Sequence, residues 1–227
     1  MIEYLQTRLP AAPSRATLGP IIDKARLGVE REGLSFGQRI VVADSPAVMP
    51  LQNVDRDGED RNVIRHVVAI VDLASTMVLG LGVARDVRTA RNDAFDEAFE
   101  TLDRLASGGA TDGPVTFEVN LHDGDTVDAM ELTRELVLSP FQIEPRADTA
   151  RVNPNRLAGL LGQLDGIQFQ SRATSNHDHE DDELTGLMDQ RLRDQLKLLS
   201  GSGSANREVS ISLQTVRDGL SFIRDTI

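Results

Sequence analysis

The longest apolar run of the chain lies directly before its most regular amphipathic stretch. Val63 to Leu73 is rich in β-branched residues, which pack well on a pleated surface, and this composition predicts a strand. Thr76 to Val83 continues the apolar run after the small pair Ala74-Ser75 and contains two glycines. A second strand after a tight turn is therefore expected.

Behind this strand pair the hydrophobic period changes to that of a helix. Apolar side chains recur at spacings of one, three and four, which places them on one helix face. They are Ala94, Phe95, Ala98, Phe99, Leu102 and Leu105. The opposite face is mostly acidic, and Ser107-Gly108-Gly109 is a typical helix end. We expect a helix from Asp93 to Ser107 that packs its phenylalanines on the sheet.

The residues before the predicted strand pair and helix predict two further strands. Arg39 to Ala43 is apolar and β-branched, and Asp44-Ser45-Pro46 is expected to close it. Ala47 to Val54 is a second candidate, although Pro50 confines it to an edge or a loop. The polar run that follows predicts a hairpin with a long loop into the central strand.

The cleanest alternation of the chain follows the helix. Val115 to Leu121 places apolar residues at odd positions, as a half-buried strand does. After a turn at His122 to Asp125, apolar residues fall at even positions from Met130 to Leu138 and predict an antiparallel partner strand. A helix from Val127 to Leu138 is the alternative.

Three more amphipathic helices are predicted, at Thr17 to Arg31, Asn155 to Leu164 and Asp182 to Leu199. The second has a clear entrance at Asn153-Pro154, because proline needs no amide at the first helical position. The third carries an apolar stripe narrow enough for a partner helix. Its interface candidates are Leu184, Leu187, Met188, Leu192 and Leu196.

The end of the sequence predicts a strand on a flexible connector. Residues 200–206 are rich in glycine and serine and lead to a predicted C-terminal strand at 207–227. In this strand Val209, Ile211 and Leu213 alternate with polar residues. A strand delivered in this way can pair with its own sheet or with that of a neighbouring subunit, so these three residues are interface candidates too.

Together these patterns predict an α+β fold. We expect a mostly antiparallel β-sheet with about four amphipathic helices packed on it. At 227 residues the chain is long enough for a substantial core, and we expect one domain over 1–227.

The charge balance narrows the environment and the partners. Asp and Glu number 36 against 24 basic residues, for a net charge of -12. An acidic surface repels phosphate backbones, so nucleic-acid binding is disfavoured. Only Lys24 and Lys197 are lysine, and this arginine-rich, acidic composition resembles that of proteins from salt-loving archaea. A GC-rich genome is the alternative explanation for the arginine excess.

Several features of the sequence indicate where in the cell the protein is expected. The chain has no cysteine, which excludes disulfides and thiolate sites. The acidic start does not resemble a secretory signal peptide. The apolar run from Val67 to Ala84 carries Asp72 near its middle, which disfavours a membrane span. We expect a cytoplasmic or virion protein.

The sharpest candidate for chemistry is a histidine-rich acidic run. His177, Asp178, His179 and Glu180 offer imidazole and carboxylate ligands to a divalent metal. The competing interpretation is a solvated capping run, because negative charge before a helix is favourable by itself. No cofactor is expected, with a divalent metal or structural salt ions as the alternative.

Three other polar groups suggest chemistry less strongly. Asn53 to Gly58 has the first half of a calcium-loop spacing, but its twelfth position is Ile64 and supplies no acid. His122 to Asp125 is explained by a turn. His66 and Asp72 lie six residues apart on one strand face, where we expect a surface pair rather than a buried site.

These patterns predict a non-enzymatic structural or assembly protein of a haloarchaeal type. It would associate with copies of itself and with other assembly proteins, for example as a tail, neck or capsid piece of a haloarchaeal virus. Missing catalytic motifs and the connector before an apolar strand motivate this hypothesis. The alternatives are a metal-dependent enzyme that uses His177 and His179, and an adaptor that presents the helix at 182–199.

Overall fold

The computed structural model describes residues 25, 27–51, 61–105, 114–121, 133–147, 156–161, 168–169 and 213–227. The chain forms two compact units, residues 1–33 and 34–227. In the first unit, residues 27–31 are helical and lie within the predicted helix from Thr17 to Arg31. The single domain expected over 1–227 stays a prediction.

The second unit contains a six-stranded sheet with the order β3-β2-β1-β4-β5, and β6 pairs with β1. The strands are β1 Arg39–Leu51, β2 Arg61–Asp72, β3 Met77–Ala84, β4 Thr116–Leu121, β5 Gln142–Ala147 and β6 Gln168–Phe169. The helices are α1 Val87–Leu105, α2 Arg156–Leu161 and α3 Leu213–Thr226. The predicted α+β class is confirmed. None of the helices in the described ranges is long and apolar enough to cross a bilayer.

The sheet combines an antiparallel half with a parallel half. β1, β2 and β3 form an antiparallel meander, in which β1 joins the two strands predicted at Arg39 to Ala43 and from Ala47, and β6 is antiparallel to β1. By contrast, β4 is parallel to β1, and β5 is parallel to β4. The chain reaches β4 from β3 through α1, and a crossover of this kind returns a strand in the parallel direction.

Strand β1 is longer than predicted. It runs for 13 residues through Asp44-Ser45-Pro46, where the sequence predicted its end. The proline is tolerated because, among the described strands, the side of β1 away from β2 is unpaired at this position. It falls between the residues that pair with β4 and those that pair with β6. Pairing with β4 extends to Ala43, and pairing with β6 begins at Ala47. At Pro46 the strand therefore needs a ladder only with β2, as at a sheet edge.

Helix α1 packs on the sheet at very short distance because small residues face each other. A Cβ atom on Gly80 would lie 1.9 Å from the carbonyl oxygen of Ala94, and one on Gly82 would lie 1.7 Å from that of Ala90. Any side chain at these two positions would push the helix away. The helix begins before the predicted Asp93, because Asp86 caps it by accepting a hydrogen bond from the Thr89 amide at 2.8 Å.

The C-terminal strand expected at 207–227 is wrong for the residues that the structure describes. Residues from Leu213 to Thr226 form α3, while 207–212 lie outside the described ranges. Val216, Leu220 and Ile223 are buried against the core, with the three- and four-residue spacing of a helix face.

The partner strand expected after β4 is also wrong in its described part. Residues 133–137 are helical, as in the alternative interpretation, and Leu136 is fully buried in the core. The strand that follows is β5, and it pairs with β4 in parallel. Leucines at even positions therefore did not distinguish a strand from a helical turn with one anchoring residue.

Candidate functional site

Polar side chains gather on the sheet face opposite to α1 and α3. On β4, Phe117 and Val119 point into the core beneath these helices, so Glu118 and Asn120 point to the other face. The same alternation places Arg39 of β1 and Glu144 of β5 on that second face. Helix α2 lies over it and contributes Arg156. We call these five residues the Glu118 network.

Glu118 is the centre of this network, and its side chain has no exposed surface. One carboxylate oxygen accepts hydrogen bonds from Nε of Arg156 at 2.8 Å and from the Asn120 amide at 3.0 Å. The other accepts from Nη2 of Arg156 at 3.1 Å and from Nη2 of Arg39 at 3.3 Å. Each oxygen thus has two donors, and the Arg156 contact is bidentate.

Arg39 links the buried centre to the rim of the sheet. Its Nη2 also donates to Glu144 at 2.6 Å, and the Glu144 side chain is 43% exposed. The Nε atom of Arg39 is buried without a hydrogen-bond partner in the described part of the chain. Among the five residues of the network, two arginines face two glutamates, so their charges balance. This balance offsets the cost of removing the charges from water.

The geometry suits an anchor better than a catalytic group. A carboxylate that accepts four hydrogen bonds, three of them from guanidinium groups, has no free lone pair for a substrate. The contact between Arg156 and Glu118 attaches α2 to the sheet, and the buried side chain of Leu157 contributes to the same attachment. The network joins β1, β4, β5 and α2, which lie far apart in sequence.

A second buried ion pair lies on the opposite face. The guanidinium of Arg91 in α1 donates to the Asp44 carboxylate at 2.7 and 3.2 Å, and to the carbonyl oxygen of Ile227 at 3.0 Å. The side chains of Asp44 and Arg91 are only 4% and 12% exposed. This pair ties the middle of β1 to α1 and to the end of α3.

Asp72 is buried, so the surface pair with His66 predicted from the sequence is wrong. The Asp72 carboxylate accepts hydrogen bonds from the Gly37 amide at 2.8 Å, the Ser75 amide at 2.8 Å and the Ser75 hydroxyl at 2.5 Å. It fixes the turn between β2 and β3. His66 lies six residues away along β2, about 20 Å at the usual strand rise, so the two groups do not form one site.

Most of the sequence-predicted site residues lie outside the described ranges. These are His177, Asp178, His179, Glu180, Leu184, Leu187, Met188, Leu192, Leu196, Val209 and Ile211, with the runs 53–58 and 122–125. Leu213 is described, and it is half-buried against the chain's own core. No cluster of three or more possible metal ligands occurs among the residues that the structure describes.

The Glu118 network was missed by sequence reasoning. Glu118 occupies a polar position of an alternating strand, which normally indicates a solvated face. Its partners Arg39 and Arg156 are 79 and 38 residues away. The pairing of β4 on both sides, which places Glu118 in the middle of the sheet, is not visible in the sequence. The sequence matches no protein-family model and no curated protein, so this network and the surface charge are what bear on function.

Proposed function

We propose that the chain is a non-enzymatic structural protein that associates with copies of itself in a haloarchaeal type of system. The most specific form of this proposal is a tail, neck or capsid component of a haloarchaeal virus. The observation that carries the non-enzymatic part of the proposal is the bonding of Glu118, the buried carboxylate that accepts four hydrogen bonds within the fold.

The use of the buried charges supports a structural role. Glu118 attaches α2, Asp44 attaches α1 and the end of α3, and Asp72 closes a turn. In each case the carboxylate serves the fold through donors of its own chain. Enzymes, by contrast, commonly keep a buried titratable group accessible to a substrate.

The net charge supports the proposal that the chain works at high salt concentration. A net charge of -12 makes copies of the chain repel one another in dilute buffer. In molar salt the screening length falls to about 3 Å, and this repulsion becomes negligible. Buried pairs are screened far less, so the Glu118 network keeps α2 in place under the conditions in which copies can approach.

Light scattering coupled to size-exclusion chromatography tests the proposal. The purified chain should be smaller, or monomeric, in dilute buffer and form a species of defined higher mass in molar KCl. The physical reason is the screening of like charges, which leaves apolar contacts between copies unopposed by repulsion. A strict monomer at every salt and protein concentration would contradict a structural role by self-association.

A further inference from the structure

An apolar pair is exposed in the segment between β4 and β5. Val137 is 59% exposed and Leu138 is 73% exposed. Arg134 and Glu135 precede them on the same helical turn and are exposed as well. We call these four residues the 134–138 patch. Two neighbouring exposed apolar side chains are a better candidate for a contact site than a single one.

The patch is anchored to the core at its middle and on its C-terminal side. Leu136, in its middle, is fully buried in the core. Directly behind it, the Ser139 hydroxyl donates to the carbonyl of Phe141 at 2.8 Å and accepts from the Phe141 amide at 3.3 Å. The Phe141 ring in turn packs edge-on against Phe117, with centroids 6.3 Å apart. A preformed surface loses little conformational entropy on binding.

The charges of the patch suit a second copy of the chain. One basic and one acidic residue make it locally neutral on a molecule of net charge -12. If two copies meet around a twofold axis, Arg134 of each copy can face Glu135 of the other, and the apolar pairs meet between them. Two strongly acidic molecules approach with least repulsion through such a neutral, self-complementary surface.

The two edges of the sheet also differ. At the β3 edge, the Leu81 amide donates to the Glu97 carboxylate of α1 at 3.2 Å. A charged group on an edge amide hinders pairing with another strand. Among the described strands, β5 lies at the other end of the sheet, and the 134–138 patch directly precedes it in the chain. Association through one end of the sheet gives a closed pair, whereas two open ends would allow unlimited growth.

We infer that the 134–138 patch is the contact between two copies of this chain, related by a twofold axis. This inference rests on the proposed self-association and names the surface that carries it.

The first test is Leu138→Asp, measured by light scattering in molar KCl. The variant should lose the contact, so its assembly should fall to half the wild-type mass or less, because a charge would be buried against the partner's Val137 and Leu138. Val29→Asp is the matched control, since Val29 is 72% exposed in the first compact unit, and it should keep the wild-type mass. Circular dichroism should show both variants folded.

Reversing the charges of the patch gives a second test, which leaves Val137 and Leu138 unchanged. Arg134→Glu should weaken association at the lowest salt concentration where the wild type still pairs, by about tenfold, because like charges then face each other. The double variant R134E/E135R should restore it.

The outcomes separate the two proposals. A wild type that assembles while Leu138→Asp assembles equally well would overturn the contact but leave self-association intact. A wild type that is monomeric throughout would overturn both, and the patch would then belong to a different protein partner.

Discussion

Helices α1 and α2 lie on opposite faces of one sheet. Each combines apolar packing with a buried ion pair, Arg91–Asp44 for α1 and Arg156–Glu118 for α2, but the most distinctive contact of each helix is of a different kind. α1 is held by close apolar contact, where Gly80 and Gly82 admit the backbone at Ala90 and Ala94. α2 is held by charge, through the bidentate contact of Arg156 with Glu118. Close packing of small residues depends on shape and is indifferent to salt. Ion pairs depend on their surroundings, and only burial protects them from screening.

This difference explains how an acidic chain can use electrostatics for its own stability in brine. The pairs between α1 and α3 are exposed, as between Asp96 and Arg224, whose side chains are 63% and 38% exposed. Such pairs contribute little and lose that contribution in salt. The Glu118 pair has a fully buried acceptor, so it should remain effective.

Removal of the Glu118 carboxylate should have the largest effect. Glu118→Ala removes the buried acceptor that Arg39 and Arg156 share, although Arg39 keeps its contact with Glu144, and we expect a loss of roughly 3 to 4 kcal/mol in the free energy of unfolding. The value lies toward the low end for buried pairs because the arginines are 25% and 15% exposed. Chemical denaturation measures the loss, and hydrogen exchange should rise in α2 more than in α1.

Glu100→Ala is the matched control for this change. Glu100 is an exposed glutamate on α1, and its replacement should change the unfolding free energy by no more than about 0.5 kcal/mol. A loss at Glu118 as small as this would show that the network does not hold the fold.

A methyl group on β3 should disrupt the apolar attachment. Gly82→Ala places a Cβ 1.7 Å from the Ala90 carbonyl oxygen, so α1 must shift, and we expect a loss of about 2 to 3 kcal/mol. The loss should be the same in dilute and molar KCl. Gly28→Ala is the control, because nothing lies within 4 Å of the new Cβ and alanine favours a helix. Equal effects of the two substitutions would contradict the close-packing account.

The cap of α1 should make stability depend on acidity. Hydrogen bonds from the backbone N–H and the hydroxyl of Thr89 hold the pKa of Asp86 below its usual range. An ionised cap therefore stabilises the fold above the unfolded pKa, about 3.9, and this contribution fades as pH falls through the lower, folded value.

Asp86→Ala should consequently cost about 1 kcal/mol near neutral pH and progressively less below about pH 4. Asp86→Ser keeps a capping oxygen without a titrating group, so its stability relative to Asp86→Ala should not vary with pH. A cost of Asp86→Ala that is constant from neutral to acid pH would contradict the assignment of Asp86 as an ionised cap.

The smallest effect is expected at the exposed pair. Arg224→Met removes the charge next to Asp96 while an apolar stem still covers the Phe99 ring, which lies 5.8 Å from the guanidinium carbon. We expect a loss of about 0.5 kcal/mol in dilute buffer and none in molar KCl. Thermal unfolding at the two salt concentrations measures both values. An undiminished loss in salt would mean that this pair is shielded as Glu118 is.

The sequence predicted elements where one period dominates and failed where two periods compete. The helix around Phe95 and the strand around Phe117 carry unmixed patterns, and both were found. At the chain end, the alternation of Val209, Ile211 and Leu213 obscured the helical spacing that begins at Leu213. Leu136 similarly fitted a strand and a helical turn equally well. Local periodicity cannot decide such cases, because packing selects the outcome.

The Glu118 network lay beyond sequence reasoning for a different reason. Its members come together only because β4 and β5 join the sheet in parallel, and strand order is a property of the whole fold. Parallel neighbours bring Glu118 beside Glu144, and α2 then carries Arg156 over both. No pattern within any one segment predicts this convergence.

A pair of double-mutant cycles in dilute and molar KCl tests the central claim most directly. One cycle combines Glu118→Gln with Arg156→Met, and the other combines Asp96→Asn with Arg224→Met. The account predicts that the coupling free energy between Glu118 and Arg156 keeps most of its value in molar KCl, while that between Asp96 and Arg224 disappears. Equal loss of both couplings in salt would contradict the claim that buried charge anchors this fold.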